Sequence, residues 1–443
     1  MTVRDLQGLA VSGASSRSLS HFETALSLFR CYRGDPLAET DAALADSPGF
    51  AMAHVLRAYL HLLGTESAAL PAARASYARA AALAGTERER GHVAAIGALL
   101  DGHWHRAGHL LEDVAIDHPH DTLALQAGHQ IDFFCGHARM LRDRIARALQ
   151  AWRIGRPGYH ALLGMYAFGL EENGDYARAE AAGRQAVVLE PHDAWAQHAV
   201  AHVLEMQSRQ REGIAWMRAN CTAWTADSFF QIHNWWHLAL YHLELGEYEQ
   251  VLELYDGPIA GDQSALALDL IDASALLWRL QLQEVDVGNR WEVLAARWEP
   301  LAEAGHYAFN DVHAMMAFAS AGHVDAAQRL LAAQQRARQG DGDNVRFTAE
   351  VGQPVALAIQ AFVARRYAEC VRLLRAVRPI AQRFGGSHAQ RDLLDLTLIE
   401  AALRGGQLAL ARALCAERLQ LRPSSPLARR LRTRVTTLTA EVA

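Results

Sequence analysis

The stretch from Asn173 to Pro191 reads Asn-Gly-Asp-Tyr-Ala-Arg-Ala-Glu-Ala-Ala-Gly-Arg-Gln-Ala-Val-Val-Leu-Glu-Pro, and it decides the fold class. Gly174 is expected to end one helix in a left-handed cap. Tyr176, two residues on, is then expected to pack between that helix and the next. The Ala-rich residues that follow are strong helix formers until Pro191, which cannot continue a helix. The stretch predicts the turn and second helix of a helix pair.

Copies of this Gly-centred joint recur along the chain. Gly102 and Gly136 are 34 residues apart, Gly136 and Gly174 are 38 apart, and Gly246 follows after another 72. Later copies lie at residues 321–327, 364–369 and 405–411. Period-2 runs of β-branched residues are absent, and the repeat length is that of tetratricopeptide helix pairs. We predict an all-α fold of tetratricopeptide-like helix-turn-helix repeats stacked into a right-handed superhelix (α-solenoid), either open or closed around an internal pocket.

The repeat pattern predicts one helical-repeat domain over residues 1–443. We divide it into N-terminal repeats (1–190), central repeats rich in His and Trp (191–340) and C-terminal repeats (341–443). Neither residues 256–262 nor the flexible Gln-Gly-Asp-Gly-Asp-Asn segment at 339–344 has the character of a domain linker.

Composition excludes several classes of function. The net charge is −6 and the basic residues are scattered, which argues against a nucleic-acid partner. The five cysteines are far apart and form no CxxC pair, so we expect buried thiols rather than disulfides or a cysteine-built zinc site. A signal peptide and an apolar run of membrane-spanning length are both absent. We expect a cytoplasmic protein that neither spans nor binds a membrane.

Two histidine pairs stand out among the 22 histidines. His198, His202 and Glu205 lie at i, i+4 and i+7, and His233, His237 and Glu244 lie at i, i+4 and i+11. Residues at these spacings share one face of a helix. If the two helices are neighbours, four imidazoles and two carboxylates converge.

Three interpretations of the histidine pairs stay open. Two HxxxH pairs on facing helices can hold a zinc or iron ion through His198, His202, His233 and His237. They can also line a metal-free pocket in which His and Glu transfer protons, or they can bridge repeats by hydrogen bonds alone. Known metal signatures do not fit: a zincin needs Glu where Ala199 stands, and His202-x-x-Glu205 reverses the di-iron order.

Further polar segments are candidates for the same site. Asp311 and His313 form a carboxylate–imidazole pair of the kind that tunes a general base, although Asn310 or Asp311 can equally cap the next helix. Gln390, Arg391 and Asp392 follow Ser387, a candidate helix cap, and can face an anionic ligand. Trp236 is a candidate pocket wall beside Asn234. Asp272 and Arg279 share a helix face, which favours an ion pair.

Several of these motifs resemble the tetratricopeptide repeat protein 38 family. The resemblance is carried, from about residue 193 to 426, by these stretches: Trp195-x-x-His198-Ala-Val-Ala-His202-x-x-Glu205-Met206, His233-Asn234-Trp235-Trp236-His237, Asp269-x-x-Asp272-x-Ser274, Phe309-Asn310-Asp311-x-His313, Val351-Gly352-x-Pro354 and Gly385-Gly386-Ser387-x-Ala389-Gln390-Arg391-Asp392. It implies a tetratricopeptide-like superhelix and no established reaction. Because the shared positions are His, Glu, Asp and Arg, it also points to an internal site.

Two functions follow as hypotheses. In the first, an internal pocket binds a small molecule and performs acid–base or metal-assisted chemistry of the hydrolysis, elimination or isomerisation class. The catalytic residues would be His198, His202, Glu205, His233, His237, Asp311 and His313. The substrate would be bound by Asn234, Trp236, Asn310, Gln390, Arg391 and Asp392. The positive charge of Arg391 makes an anionic substrate possible. The cofactor would be a divalent metal ion (zinc or iron), or the reaction would need no cofactor. A homodimer is compatible with both possibilities. The alternative is a non-catalytic scaffold that binds a peptide of a protein partner in its groove.

Overall fold

The computed structural model describes residues 3–442, which divide into two compact units. The first unit comprises the described residues up to Val200 together with Asn220–Gln231 and Asp341–Asp343. The second comprises Ala201–Ala219, Ile232–Gly340 and the described residues from Asn344 onward. The division into residues 1–190, 191–340 and 341–443 is based on the repeat pattern and stays a prediction.

The first unit begins with two short strands that pair antiparallel, β1 (Val3–Arg4) and β2 (Ala10–Val11). Helices follow in chain order: α1 (Ser16–Cys31), α2 (Pro36–Asp46), α3 (Ala51–Leu62), α4 (Leu70–Leu83), α5 (Glu87–Leu100), α6 (Trp104–Asp117), α7 (Thr122–Phe134), α8 (Ala138–Leu149), α9 (Tyr159–Glu171), α10 (Tyr176–Leu189) and the first half of α11 (Ala194–Met206). Each of the helices α1 to α9 packs against the helix that follows it.

The second unit is also helical. It contains the end of α11 and the whole of α12 (Gln210–Ala219). The next helix, α13 (Cys221–Thr225), belongs to the first unit. The second unit then continues with α14 (Gln231–Leu245), α15 (Tyr248–Leu254), α16 (Ala267–Leu282), α17 (Arg290–Trp298), α18 (Ala308–Ala321), α19 (Val324–Ala337), α20 (Asn344–Arg346), α21 (Gln353–Val363), α22 (Tyr367–Val377), α23 (His388–Arg404), α24 (Leu408–Leu421) and α25 (Pro426–Val442). Single turns of π-helix at Tyr255–Ile259 and Phe347–Gly352 and 3₁₀ turns at Glu299–Leu301 and Arg378–Phe384 join some of these.

The predicted repeat is present in the helices. Successive pairs begin at Glu87, Thr122, Tyr159 and Ala194, which are 35 to 37 residues apart. The joints turn through left-handed glycines, with φ of +80° at Gly102 and Gly174 and +69° at Gly136. A side chain at such a φ would be strained, so glycine is needed there. The prediction of an all-α fold of tetratricopeptide-like helix pairs is confirmed.

A buried ion pair holds the two helices of one repeat together in the first unit, and its arginine also reaches the preceding repeat. The Arg144 guanidinium on α8 donates to both Asp132 carboxylate oxygens on α7, at 2.8 and 3.1 Å, and to the Gly108 carbonyl on α6 at 2.9 Å. Both charged side chains are about 2% exposed. Room for Arg144 comes from Gly128, where a Cβ would lie 2.7 Å from the guanidinium carbon.

Two buried tryptophans in the second unit have satisfied indole N–H groups. Trp278 donates its indole N–H to the Thr397 hydroxyl at 2.8 Å, and Trp298 donates to the Ser274 hydroxyl at 2.9 Å. Both rings are fully buried. A buried indole usually needs such an acceptor, so these bonds fix how α16, α17 and α23 pack.

The cysteines and the hydropathy of the helices are the two further features that composition predicts. All five cysteines are unpaired, and four of them are buried, while Cys221 is half-buried. The prediction of thiols rather than disulfides is therefore confirmed. No helix among residues 3–442 combines the length and hydropathy that a membrane crossing requires.

We expect Arg144→Ala to lower the free energy of unfolding by about 3–5 kcal/mol, because it leaves the Asp132 carboxylate buried without its cation. Arg139→Ala is the matched control, since it removes an exposed arginine that pairs with Asp143 at 3.0 Å. That change is expected to cost less than about 1 kcal/mol. Urea denaturation followed by circular dichroism measures both, and equal effects of the two changes would contradict the importance of the buried pair.

Candidate functional site

Three of the predicted histidines come together in the second unit. His202 lies on α11, and His233 and His237 lie on α14, where the four-residue spacing places both rings on one face. The ring centroids of His202 and His237 are 4.4 Å apart, and those of His233 and His237 are 5.0 Å apart. Each histidine offers a ring nitrogen within 4.8 Å of the others.

A carboxylate lies beside two of these rings. The Nδ1 atom of His237 is 3.2 Å from Oε2 of Glu205, and Nδ1 of His233 is 2.8 Å from Oδ2 of Asp272. An ionised carboxylate only accepts hydrogen bonds, so in both pairs the Nδ1–H donates. A neutral imidazole in that tautomer carries its lone pair on Nε2, the atom that can take a proton or ligate a metal.

Burial disfavours the charged form of two of these histidines. His202 and His237 are fully buried. Desolvation, and then the charges of neighbouring histidines, holds the pKa of both imidazoles well below the usual range. Burial also raises the pKa of Glu205, although the guanidinium groups of Arg422 and Arg279 oppose that shift. At neutral pH the His202 and His237 imidazoles are therefore uncharged, and each keeps one N–H and one nitrogen lone pair.

A small cavity lies next to Glu205. Its volume is about 20 Å³, and charged side chains of both signs line it, including Glu205, Arg279, Asp392 and Arg422. This is room for about one water molecule. Arg418 donates two hydrogen bonds to the Asp392 carboxylate, at 2.6 and 2.9 Å. Burial would raise the pKa of Asp392, but Arg418 and Arg422 lower it below the usual range.

Arg279 connects the histidine cluster to α23. Its guanidinium donates to the Ala389 carbonyl at 2.6 Å and lies 5.4 Å from the centroid of the Trp236 ring. The Trp236 ring is in turn stacked on His233, with centroids 5.3 Å apart. The predicted Asp272–Arg279 ion pair is wrong, because Asp272 pairs with His233 while Arg279 binds backbone carbonyls.

Other predicted site residues on α11 and α14 have separate surroundings. His198, one turn before His202 on α11, belongs to the first unit, where its ring packs on Phe168 and Trp195. Asn234 is fully buried. The Glu244 carboxylate accepts the Leu427 backbone N–H at 3.2 Å and so serves the start of α25 rather than His237.

The segment around Asn310 differs from its predicted form. Helix α18 begins at Ala308, whose N–H is accepted by the Asn344 side chain at 2.9 Å, so Asn310 and Asp311 lie inside the first turn rather than at the N-cap position. Burial raises the pKa of Asp311 to about 7. His313 bonds the Phe309 carbonyl at 2.8 Å, and burial lowers its pKa to about 4. No Asp311–His313 hydrogen bond is present between these two described residues.

The segment before α23 is a helix entry of the expected kind. Ser387 and Gln390 form a reciprocal capping box, in which the Gln390 amide oxygen accepts the Ser387 N–H at 3.0 Å. The guanidinium of Arg391 donates to the Gly386 carbonyl. Of the residues predicted as a site, Glu205 and Asp392 line the small cavity, and the described lining does not include His237, His313 or Arg391.

Sequence reasoning missed three partners of the site. The helix spacing pairs Asp272 with Arg279, whereas the structure pairs it with His233. Arg418 and Arg422, which lie beside Asp392 and Glu205, are the other two partners. The spacing of Arg418 and Arg422, four residues apart near the end of α24, is a signal for one basic face. Nothing in the sequence indicates that this face meets Asp392 and Glu205.

Comparisons with known proteins give no family. No protein-family model matches the chain. It is similar to yeast Tom70 (12% identity, TM-score 0.33, covering 95% of this chain and 88% of that one). It is also similar to Naa15/Naa10 bound to HypK-THB (12%, 0.26, 93% and 65%) and to the TPR domain of P58(IPK) (13%, 0.20, 88% and 98%). At these identities and TM-scores the likenesses do not bear on the chain's function.

The Asp311 carboxyl predicts a pH-dependent stability. Its folded-state pKa of about 7 lies above the ordinary 3.8, so its contribution is full below pH 3.8 and is lost as the pH rises through 7. Asp311→Asn removes the ionisation. The gain in unfolding free energy over the wild type should be about 2 kcal/mol larger at pH 8 than at pH 5.5.

Urea denaturation at the two pH values measures this difference. Asp325→Asn, an exposed carboxylate on α19, is the matched control and should show the same small effect at both pH values. A gain for Asp311→Asn that does not depend on pH would contradict the assignment.

Proposed function

We propose that this chain is a scaffold of tetratricopeptide-like repeats whose C-terminal helix pairs bind an acidic peptide segment of another protein. The observation that carries the proposal is an open groove of about 430 Å³ in the second unit. Its lining comprises Ala368, Val371, Arg372, Arg375, Ala376 and Gln407. The groove thus combines two arginines with a floor of small apolar side chains.

Charge is the reason for choosing an acidic partner. Arg372 and Arg375 are exposed on one face of α22, and within residues 3–442 neither forms an ion pair. Residues 344–443 contain 16 arginines and 7 acidic residues, whereas the whole chain has a net charge of −6. A peptide rich in Glu or Asp would therefore be attracted to this part of the chain and repelled by the rest.

A charge reversal tests the scaffold. The probe is a fluorescein-labelled peptide of alternating Glu and Ala, and fluorescence anisotropy measures its binding to the full chain. We expect Arg372→Glu with Arg375→Glu to weaken binding about tenfold or more, and added salt to weaken wild-type binding. Arg336→Glu with Arg432→Glu carries the same charge change on exposed positions away from the groove. Equal losses in both double variants, or wild-type binding no stronger than to a Lys-Ala peptide, would rule out the groove.

A second candidate function rests on the two carboxylate-backed imidazoles. The His237–Glu205 and His233–Asp272 pairs are arranged as general bases are, with a carboxylate that fixes the tautomer. We propose that this site transfers protons on a small ligand, in a reaction of the hydrolysis, elimination or isomerisation class. A cavity of about 20 Å³ admits little more than water, so the ligand must be small or must displace side chains.

A thermal-shift screen of small carboxylic acids and organic phosphates tests this second function. A true ligand raises the Tm of the wild type, because binding to the folded state stabilises it by mass action. The rise should disappear in His237→Asn and persist in His313→Asn, a buried histidine outside the cluster. A panel without any such compound, or a shift that survives His237→Asn, would count against proton-transfer chemistry here.

Two further parts of the proposal concern identity and location. The motifs around His202, His233 and Gln390 support membership of the tetratricopeptide repeat protein 38 family as a proposal. The five unpaired cysteines support the reducing environment of the cytoplasm. The peptide-binding proposal depends on neither.

A further inference from the structure

We propose that His202, His233 and His237 form a binding site for a divalent transition-metal ion, with Zn²⁺ as the ion to test. The site is distinct from the groove on α22 and does not depend on peptide binding. Its basis is the approach of three ring nitrogens to within 4.8 Å of one another. Imidazole nitrogen is a preferred ligand of zinc and of the neighbouring first-row metals.

The distances are close to those that a metal needs. Nitrogens that share a tetrahedral zinc ion at about 2.0–2.1 Å lie about 3.4 Å from each other. The three rings therefore need to move by about 1 Å, which small rotations of the side chains achieve. The rings already surround one point. The centroids of His202 and His237 are 4.4 Å apart, those of His233 and His237 are 5.0 Å apart, and both pairs are edge to face.

The carboxylates supply a second, independent observation. Histidines that ligate metals almost always donate their other ring N–H to a carboxylate, a carbonyl or water, which fixes the tautomer and makes the ligating nitrogen more basic. Glu205 holds Nδ1 of His237, and Asp272 holds Nδ1 of His233, so Nε2 is the ligating atom in both.

The charges of neighbouring side chains also bear on a cation. The Arg279 guanidinium opposes one, because it lies 5.4 Å from the centroid of the Trp236 ring, which is stacked on His233. Glu205 and Asp272 bring two negative charges that offset it. A bare ion also needs far less room than an organic ligand in a cluster this crowded.

The experiment measures metal binding by the full chain. The protein is stripped with EDTA, and Zn²⁺ affinity is then obtained by competition with a chelating dye. Co²⁺ is added in parallel for the visible absorption of a nitrogen-ligated ion. We expect one tight Zn²⁺ per chain and a Tm that rises with Zn²⁺ concentration. His237→Asn and His202→Asn should lower the affinity at least 100-fold, whereas His313→Asn should leave it unchanged.

Variants that keep all three imidazoles guard against loss of folding. Glu205→Gln and Asp272→Asn should each lower the Zn²⁺ affinity about 10- to 100-fold. Circular dichroism and the metal-free Tm show that each variant is folded. A wild type without tight Zn²⁺, or a tight site that persists in His237→Asn and therefore belongs to other histidines, would overturn the proposal. Either result would leave the binding of the Glu-Ala peptide to the groove unaffected.

Discussion

A carboxylate buried between helices needs a cation or a hydrogen-bond donor, and this requirement shapes the packing in both units. In the first unit Asp132 is held by Arg144 across consecutive helices. In the second unit Asp392 is held by Arg418. Each arginine reaches its partner only if the two helices keep their register. The apolar faces supply the driving force for packing, and the ion pairs select one arrangement among the many that apolar faces alone would allow.

The buried carboxylates of the histidine cluster also need hydrogen-bond donors, and there the donors include imidazole rings. Glu205 and Asp272 are each held in part by the ring N–H of an imidazole. An imidazole that satisfies a carboxylate on one side has chemistry to offer on the other. The second unit therefore contains a site that can react, whereas the Asp132 carboxylate is held by a full positive charge in a pair that serves packing.

Local sequence was sufficient to predict the helix pairs and their joints. Gly102, Gly136 and Gly174 adopt the left-handed conformation that the Gly-centred motif predicts, because a helix cap depends on neighbouring residues alone. The capping box at Ser387 was anticipated in the same way. The start of α18 was misjudged, since Asn344, 36 residues downstream, accepts the first N–H of that helix.

The site was predictable in its residues but not in its pairings. Spacing alone indicated that His233 and His237 share a face, and the structure adds His202 beside them. The partners Glu205 and Asp272 lie 32 and 39 residues from their histidines, on other helices. Such pairings depend on how repeats stack, and a single sequence carries no signal for them.

The Gly128–Arg144 contact has a consequence for how this repeat can diverge. Because an added Cβ at residue 128 would occupy the space of the guanidinium, the two positions cannot vary independently. Related chains with a larger residue at 128 should carry a shorter one at 144, and then an uncharged residue at 132 as well. These three positions, on two helices, are therefore expected to change together.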